Sequence, residues 1–217
     1  MANILMEQNV CHTFLCSNSQ ISNLYKVFVN VLAQKMLLIY MNTTLGGKKL
    51  QISMPVSDSL IKELKVNDTV EITGIIYCGR DAVLPKIAEL LKNGEWSEMG
   101  IDLNGSAIFH TAVSPAGIGP TSSNKVDIES SIPELSKAGI KFHIGKGSLS
   151  KESVEALKKY NSIFLVTPPN TALLTSKITK KEIAAFEDEG MEAFSRIEVV
   201  NFPAIVAIAH GESIFDK

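Results

Sequence analysis

Three short segments of this chain combine glycine with a cationic side chain. Arg80 follows Gly79, Lys146 stands between two glycines, and Lys125 lies near the end of a run of glycine, proline and hydroxyl residues that begins at Gly117. Glycine lets the backbone approach a ligand closely, and backbone amides beside a cation are suited to holding a small anion. The three segments therefore predict an anion-binding site.

Hydroxyls and histidines give weaker indications of chemistry. Thr121 and the two serines after it precede the cation Lys125, but helix capping accounts for at least one such hydroxyl, and no Gly-x-Ser-x-Gly elbow supports a serine nucleophile. His110 and His143 lie in predicted strands, where an isolated histidine is more often structural. The segment 145–147 lacks the full Gly-x-x-x-x-Gly-Lys-Ser/Thr pattern of a nucleotide-binding P-loop.

The composition argues against several broad classes of protein. The chain has 217 residues, of which 45% are hydrophobic and 20% charged, as in an ordinary globular protein. A net charge of -2 gives no general attraction to nucleic acid or to an anionic membrane, so an anion site must be local. The three cysteines fit a reducing cytosol, and we expect a cytoplasmic protein. Cys11 and Cys16 lack the further ligands of a metal site, so none is predicted.

Alternating strands and helices must position the cations. Strands are predicted over 50–54, 69–77, 107–110, 140–144, 163–166, 196–200 and 204–208. Helices are predicted after the capping residues Ser57 and Ser150, over 82–92, over 126–138 with a break at Pro133, and over 180–187. Because several strands end in a glycine-containing loop, we expect an α/β domain whose site lies at the carboxyl ends of its strands.

The beginning of the chain differs from the rest. Residues 1–44 contain very few acidic residues, and Asn, Ser, Cys and Gln dominate the first twenty. We expect residues 1–44 to be a divergent N-terminal extension of unknown role, and residues 45–217 to form the functional domain. The apolar stretch 24–40 is interrupted by lysines and amides, which makes it too polar to span a membrane.

Four motifs occur in a fixed order along the functional domain. Gly79–Ala82 reads Gly-Arg-Asp-Ala, Gly119–Asp127 reads Gly-Pro-Thr-Ser-Ser-Asn-Lys-Val-Asp, Ile144–Gly147 reads Ile-Gly-Lys-Gly, and Gly190–Ala204 contains Gly-Met-Glu-Ala and Phe-Pro. Together they resemble the β subunit, or C-terminal domain, of class I iron–sulfur fumarate hydratases and the related L-tartrate dehydratase β subunit. The resemblance extends from about residue 48 to residue 217.

This resemblance implies a swivelling β/β/α domain and a hydro-lyase active site shared with a separate α subunit. It implies a [4Fe-4S] cluster that the α subunit holds and this chain does not, with one iron acting as a Lewis acid on the substrate. The implied substrate is a small dicarboxylate. Residues 45–217 would then be a catalytic domain of the fumarase and tartrate dehydratase β type.

The resemblance also implies a role for each residue that matches a motif. Arg80, Lys125 and Lys146 would bind the carboxylates of the substrate. Thr121 would be the catalytic base, although a threonine hydroxyl needs a neighbour that takes its proton. Asp81 would support Arg80 or carry a proton.

Three positions depart from the family pattern. Lys125 replaces the usual arginine, which keeps the charge but loses the bidentate fork. Val83–Lys86 replaces Ala-His-x-Arg, and Thr111–Pro115 replaces x-Gly-Pro after His110. The expected activity is the reversible hydration of fumarate to L-malate. The alternatives are dehydration of L-tartrate or another hydroxy-dicarboxylate, and a non-catalytic anion-binding or assembly module.

Overall fold

The structure, a computed structural model, describes residues 48–121 and 125–216. The expected N-terminal extension (residues 1–44) and the serines 122 and 123 lie outside the described residues. The strands are β1 (Lys49–Ser53), β2 (Thr69–Gly79), β3 (Ala107–His110), β4 (Phe142–Gly145), β5 (Ile163–Val166), β6 (Ile178–Ala185), β7 (Phe194–Ala209) and β8 (Glu212–Ser213). The helices are α1 (Asp58–Glu63), α2 (Leu84–Asn93), α3 (Lys125–Lys137), α4 (Lys151–Lys159) and α5 (Thr171–Thr175), with 3₁₀ helices at Glu95–Met99 and Glu187–Glu192.

Five of the strands close into a small barrel. Strands β2, β3, β4 and β5 are neighbours in that order and run parallel to one another. The long strand β7 runs antiparallel to both β5 and β2, so it joins the two ends of the row into a ring. Strand β1 pairs with β2 outside the ring, and β6 and β8 pair with β7. The expected mixed α/β fold is confirmed in this form.

Alternate residues of each strand face opposite sides of the barrel. One cluster of buried side chains comes from all five ring strands and fills the interior, where the rings of Phe109 and Phe202 meet edge to face at 5.6 Å. A second cluster packs α2 and α3 against the outer face. His143 points to this outer face, and its Nε2 lies 2.9 Å from the Ser136 hydroxyl of α3. Polar side chains are therefore buried beneath α3.

Most of the predicted elements are confirmed, including both capping serines. The Ser57 hydroxyl accepts a hydrogen bond from the Leu60 amide at 3.4 Å, and Ser150 accepts one from Ser153 at 3.3 Å. The predicted break at Pro133 is wrong, because α3 runs through it without ending. Proline removes a single amide donor there, and the buried face of α3 holds the helix against the barrel.

The predicted helix over 180–187 is also wrong. This segment forms the edge strand β6 and then turns into the second 3₁₀ helix. Lys180 and Glu182 lie on one face of the strand, where their side chains form an ion pair at 2.9 Å. An edge strand whose charged side chains are exposed lacks the alternation of apolar and polar residues that predicts a strand. Its sequence therefore resembles that of the polar face of a helix.

The two strands predicted over 196–200 and 204–208 form the single strand β7. Asn201 takes a left-handed conformation, with φ of 52°, between its two parts. The first part pairs with β6 and the end of β2, and the second pairs with β5 and the start of β2. Within the described residues, no helix is both long enough and apolar enough to cross a membrane.

Candidate active site

The four parallel ring strands end at the same rim of the barrel. Gly79 of β2 lies beside His110 of β3, and Gly145 of β4 lies beside Val166 of β5. The carboxyl ends of parallel strands are where α/β proteins place their sites. The rim therefore carries the residue that follows each strand: Arg80, Thr111, Lys146 and Thr167.

The loop after β3 folds back onto the end of that strand. The Thr121 amide donates a hydrogen bond to the His110 carbonyl at 3.1 Å. The Thr111 hydroxyl donates to the Gly119 carbonyl at 2.7 Å. These contacts hold the Thr121 hydroxyl, which itself lies 3.5 Å from the His110 carbonyl, beside the rim.

Thr121, Lys125 and Lys146 line one small cavity of about 20 Å³, together with His110 and Glu129. The structure thus brings together three of the five residues that the sequence identified. Thr121 and Lys146 also line a neighbouring cleft of about 700 Å³, which is open enough for a small diacid. Two ammonium groups can bind an anion through charged hydrogen bonds. The hydroxyl beside them can then exchange a proton with the bound anion.

Glu129 connects the two lysine-bearing segments and was missed from the sequence. It lies one helical turn after Lys125 in α3, and its carboxylate is 3.2 Å from the Lys125 ammonium. Its other oxygen accepts the Ser150 amide at 2.9 Å, at the start of α4. The spacing of four residues from Lys125 was the only signal in the sequence. Glu129 therefore fixes α3 against the loop that carries Lys146.

Arg80 and Asp81 lie at the rim but line neither of these two cavities. The Arg80 Nε donates to the Asp81 carboxylate at 3.0 Å, and its Nη2 lies 2.9 Å from the Glu192 carboxylate. Glu192 belongs to the 3₁₀ helix that leads into β7. The guanidinium is therefore held between two carboxylates, one of which sits next to it in the sequence.

Two histidines are buried beneath the small cavity. His110 is 4% exposed, and its Nε2 has no hydrogen-bond partner among the described residues. Burial lowers the pKa of His110 to about 4, and the Glu129 carboxylate opposes that shift. Burial also lowers the pKa of His143 well below its ordinary value, helped by repulsion from His110. Both imidazoles are therefore neutral at pH 7.

These two histidines are expected to make the stability of the fold depend on pH. In the unfolded chain each imidazole takes up a proton below about pH 6.5, whereas in the folded chain His110 does so only near pH 4. Unfolding therefore takes up protons in this window, and the free energy of unfolding falls as the pH falls through it. Between pH 7 and 5 the expected loss is about 2 kcal/mol for His110, and His143 adds to the loss in the same direction.

Urea unfolding at pH 7 and pH 5 measures this loss. The His110→Phe variant, which has no imidazole at this position, should lose about 2 kcal/mol less than the wild-type chain between these two pH values. An unchanged difference between the two pH values in this variant would contradict the assignment of His110 as a buried neutral imidazole.

Thr167 is a second rim residue that sequence reasoning missed. Thr167 lines the larger cleft, and its hydroxyl is buried and has no hydrogen-bond partner among the described residues. A buried hydroxyl left unpaired costs about 1–3 kcal/mol, so a ligand that pairs with it gains affinity. Its place directly after the apolar strand 163–166 was the signal available in the sequence.

Gly117 holds the loop after β3 close to α5. Its φ is 117°, and an added Cβ would lie 2.3 Å from the Thr175 hydroxyl and 2.8 Å from a methyl of Thr171. The Thr175 hydroxyl accepts the Ile118 amide at 3.1 Å, so this close approach fastens the loop. Gly117→Ala is therefore expected to destabilise the fold by about 2 kcal/mol or more, through overpacking and backbone strain.

A matched variant separates the two causes. Gly94 also has a left-handed φ, of 79°, but an added Cβ would meet nothing within 4 Å. Gly94→Ala should therefore show backbone strain alone, about 1 kcal/mol. Urea unfolding measures the free energy of unfolding of both variants. If both lost the same free energy of unfolding, contact with α5 would not be what fixes the loop.

The sequence of this chain is similar to those of one protein family. A sequence model of the family described as fumarase C-terminus matches residues 28–217. A protein of Methanocaldococcus jannaschii, provisionally named L(+)-tartrate dehydratase subunit beta, is 37% identical over 172 residues. That alignment covers 72% of this chain and 86% of the relative.

Longer relatives carry a different name. The anaerobic class I fumarate hydratase of Escherichia coli is 28% identical over 171 residues, covering 74% of this chain and 31% of that enzyme. Fumarate hydratase 2 of Leishmania major is 27% identical over 191 residues, covering 82% of this chain and 33% of that enzyme. This chain therefore aligns with about a third of the length of these fumarate hydratases.

Proposed function

This chain belongs to the fumarase C-terminus family, and on that premise we propose that it is the β subunit of an iron–sulfur-dependent hydro-lyase. The proposed reaction is the reversible hydration of fumarate to L-malate. The relatives named above are fumarate hydratases and a tartrate dehydratase subunit, which are hydro-lyases. We assign residues 45–217 to a domain of the swivelling β/β/α type, which is the architecture implied by the family resemblance.

The observation that carries the proposal is the convergence of Thr121, Lys125 and Lys146 on one cavity at the barrel rim. These residues come from two separate segments of the chain, the motifs Gly119–Asp127 and Ile144–Gly147, and Lys125 stands where the family pattern has an arginine. A dicarboxylate has two anionic ends, and two ammonium groups on different elements can hold both at a fixed separation. A small diacid would occupy the larger cleft, which Thr121 and Lys146 also line, with one carboxylate near the small cavity that Lys125 lines.

Each residue would contribute in its own way. Lys125 and Lys146 would donate charged hydrogen bonds to the substrate carboxylates, each worth about 1.5–3 kcal/mol. Thr121 would exchange a proton with the carbon that gains or loses one in the reaction. Because an aliphatic hydroxyl is a weak base, this role requires another group that takes the proton of the hydroxyl itself.

Arg80 would bind a carboxylate only after a change of partner. Its Nη2 is paired with Glu192, which ends the 3₁₀ helix that leads into β7. We propose that a substrate carboxylate replaces Glu192 on the guanidinium, while Asp81 keeps its contact with Nε and holds the side chain in place. A bidentate arginine–carboxylate pair has the geometry for this exchange.

The iron–sulfur cluster is assigned to a partner subunit. Within residues 48–121 and 125–216, no three His, Cys, Asp or Glu side chains form a group that could hold a metal. Cys78 is the one cysteine within these described residues. It is a free, buried cysteine, and burial raises the pKa of its thiol. These residues do not fit a cluster, so we assign to this chain substrate binding and proton movement alone.

The lengths of the relatives support such a partner. The M. jannaschii relative is named a beta subunit, and this chain covers most of it. The fumarate hydratases extend about three times as far as the aligned part. We propose that a separate α subunit corresponds to the remainder of those longer enzymes and supplies the cluster.

Dehydration of L-tartrate is the second candidate. It is favoured by the tartrate dehydratase name of the 37% identical relative. Tartrate carries one more hydroxyl than malate, and the buried Thr167 hydroxyl in the larger cleft could pair with it. A site built to hydrogen-bond a substrate hydroxyl discriminates strongly against the analogue that lacks it.

One experiment tests the proposal. The chain is co-expressed with its cysteine-bearing α subunit, the complex is reconstituted anaerobically with iron and sulfide, and hydration of fumarate is measured beside dehydration of L-malate and L-tartrate. Preferred turnover of fumarate and malate supports the first candidate, and preferred turnover of tartrate supports the second. A chain that copurifies with no partner and, in the reconstituted mixture, turns over none of these diacids would instead be a non-catalytic anion-binding or assembly module.

A further inference from the structure

His110 presents a buried nitrogen to the cavity of the proposed site. Its ring lies on the outer face of the barrel, 5.9 Å from the ring of His143 and 6.3 Å from that of Phe164. Its Nε2 is buried without a hydrogen-bond partner among the described residues. Buried polar atoms are almost always paired in native proteins. An unpaired one in a residue that lines a cavity is available to a polar group that enters the cavity.

Thr121 lines the same cavity as His110. Both residues line its volume of about 20 Å³, which is room for about one water molecule. The backbone fixes the pair, because the Thr121 amide donates to the carbonyl of His110 itself. Because His110 Nε2 has no hydrogen-bond partner among the described residues, a proton would pass from the Thr121 hydroxyl to His110 through a single water in this cavity.

Glu129 provides the counter-charge for a protonated His110. One of its carboxylate oxygens is buried in the same cavity wall without a hydrogen bond, and the Lys125 ammonium lies 3.2 Å from that oxygen. Attraction to Glu129 raises the pKa of His110, against the larger effect of burial. The other titratable groups that face His110 are Lys146 in the cavity and the neutral imidazole of His143.

We propose that His110 is the positioning residue that takes the proton of the Thr121 hydroxyl, with Glu129 stabilising the imidazolium that forms. This inference rests on the proposed function. In the dehydration direction, the C–H bond of the hydroxy-acid breaks and its proton moves to the Thr121 oxygen. At the same time, the proton of the Thr121 hydroxyl moves to a water in the small cavity, and that water gives one of its protons to His110 Nε2.

The electron pair of the broken C–H bond forms the C=C bond as the hydroxyl group leaves the neighbouring carbon with its own bonding pair. The departing hydroxide takes a proton from solvent, and the imidazolium returns one to solvent. One water therefore forms in each turnover, and no redox change occurs on this chain. Hydration follows the same steps in reverse.

The arrangement supplies what a threonine base lacks. A hydroxyl becomes an effective base or nucleophile when an adjacent imidazole takes its proton and a carboxylate supports the imidazole, as in the Ser-His-Asp arrangement. Thr121, His110 and Glu129 come from the loop after β3, the end of β3 and α3 respectively. A neutral imidazole at working pH is the form able to accept the proton.

Kinetics of two variants in the reconstituted complex test the inference. His110→Phe keeps an aromatic ring but has no acceptor, and it should lower kcat about 10²-fold with KM nearly unchanged. It should also remove the acidic limb of the kcat/KM pH profile that His110 produces. Glu129→Gln should move that limb to lower pH, because it removes the charge that favours the imidazolium. A structural role alone would leave the positions of the limbs unchanged.

A second measurement needs no activity. A ¹⁵N NMR titration of the histidines in the wild-type chain and in Thr121→Val reports the environment of His110 Nε2 directly. The inference expects the His110 ring signals to change in this variant and those of His143 to stay constant. Unchanged His110 signals would overturn the inference that His110 takes the proton of the Thr121 hydroxyl. A His110→Phe enzyme with the kcat and acidic limb of the wild type would overturn it as well. Failure of the wild-type complex to turn over any diacid would instead contradict the proposed function.

Discussion

Thr121→Val is expected to lower kcat for fumarate hydration by about 10²- to 10⁴-fold, the range in which a general acid or base contributes. Valine has nearly the shape of threonine, so the loop after β3 should keep its place. The backbone contact of residue 121 with His110 does not involve the side chain. KM should change little, because the hydroxyl acts on the reacting carbon and the lysines bind the carboxylates.

Two controls accompany this variant. Thr121→Ser keeps the hydroxyl and should retain most of the activity. Thr179→Val makes the same change at an exposed position of β6 and should leave kcat and KM unaltered. Steady-state kinetics of the reconstituted complex provide the measurement. If Thr121→Val kept wild-type kcat, the proton would have to be moved by a group other than Thr121.

Lys146→Ala is expected to lower kcat/KM by about 10- to 100-fold, which corresponds to the loss of one charged hydrogen bond of about 1.5–3 kcal/mol. The effect should appear mainly as a higher KM, because the ammonium binds the substrate before and during the reaction. Lys146 is exposed on a loop at the barrel rim, so the fold should not depend on it. The free energy of unfolding should therefore stay within about 0.5 kcal/mol of the wild-type value.

Lys151→Ala is the matched control for this variant. Lys151 is an exposed lysine in the first turn of α4, only a few residues further along the chain, and it lines neither cavity. Removing it changes the net charge by the same amount without removing the proposed substrate contact. If both variants lost activity equally, the effect would come from general electrostatic attraction, and the role proposed for Lys146 would be wrong.

The sequence predicted those features of this protein that depend on a few neighbouring residues. Apolar runs that end in glycine predicted strands β2 and β4 and the rim positions of Arg80 and Lys146, because those signals are contained within a few residues. The lysine at the start of α3 and the hydroxyl of Thr121 were found in the same way. Thr121, Lys125 and Lys146 line one cavity because the parallel strands before them end at the same rim of the barrel.

What the sequence could not provide depends on contacts between distant residues. Closure of the barrel requires β7 to pair with β2, and no local pattern encodes that pairing. Residues 180–187 were predicted as helix because an edge strand that keeps its charges in solvent has no distinctive periodicity. Among the site residues, Glu129 and Thr167 had only weak local signals. His110 was identified but judged structural, since its burial and unpaired nitrogen are properties of the folded chain.

The closing strand β7 has a consequence for how the protein is made. A ribosome delivers the four parallel strands first and releases β7 only after all of them, so the nascent chain holds a row of strands with two unpaired edges. Such edges are templates for association with other chains. Pairings between distant segments also form slowly. The proposed site, which is built on the rim of the ring, therefore depends on a pairing between distant segments of the chain, that of β7 with β5 and β2.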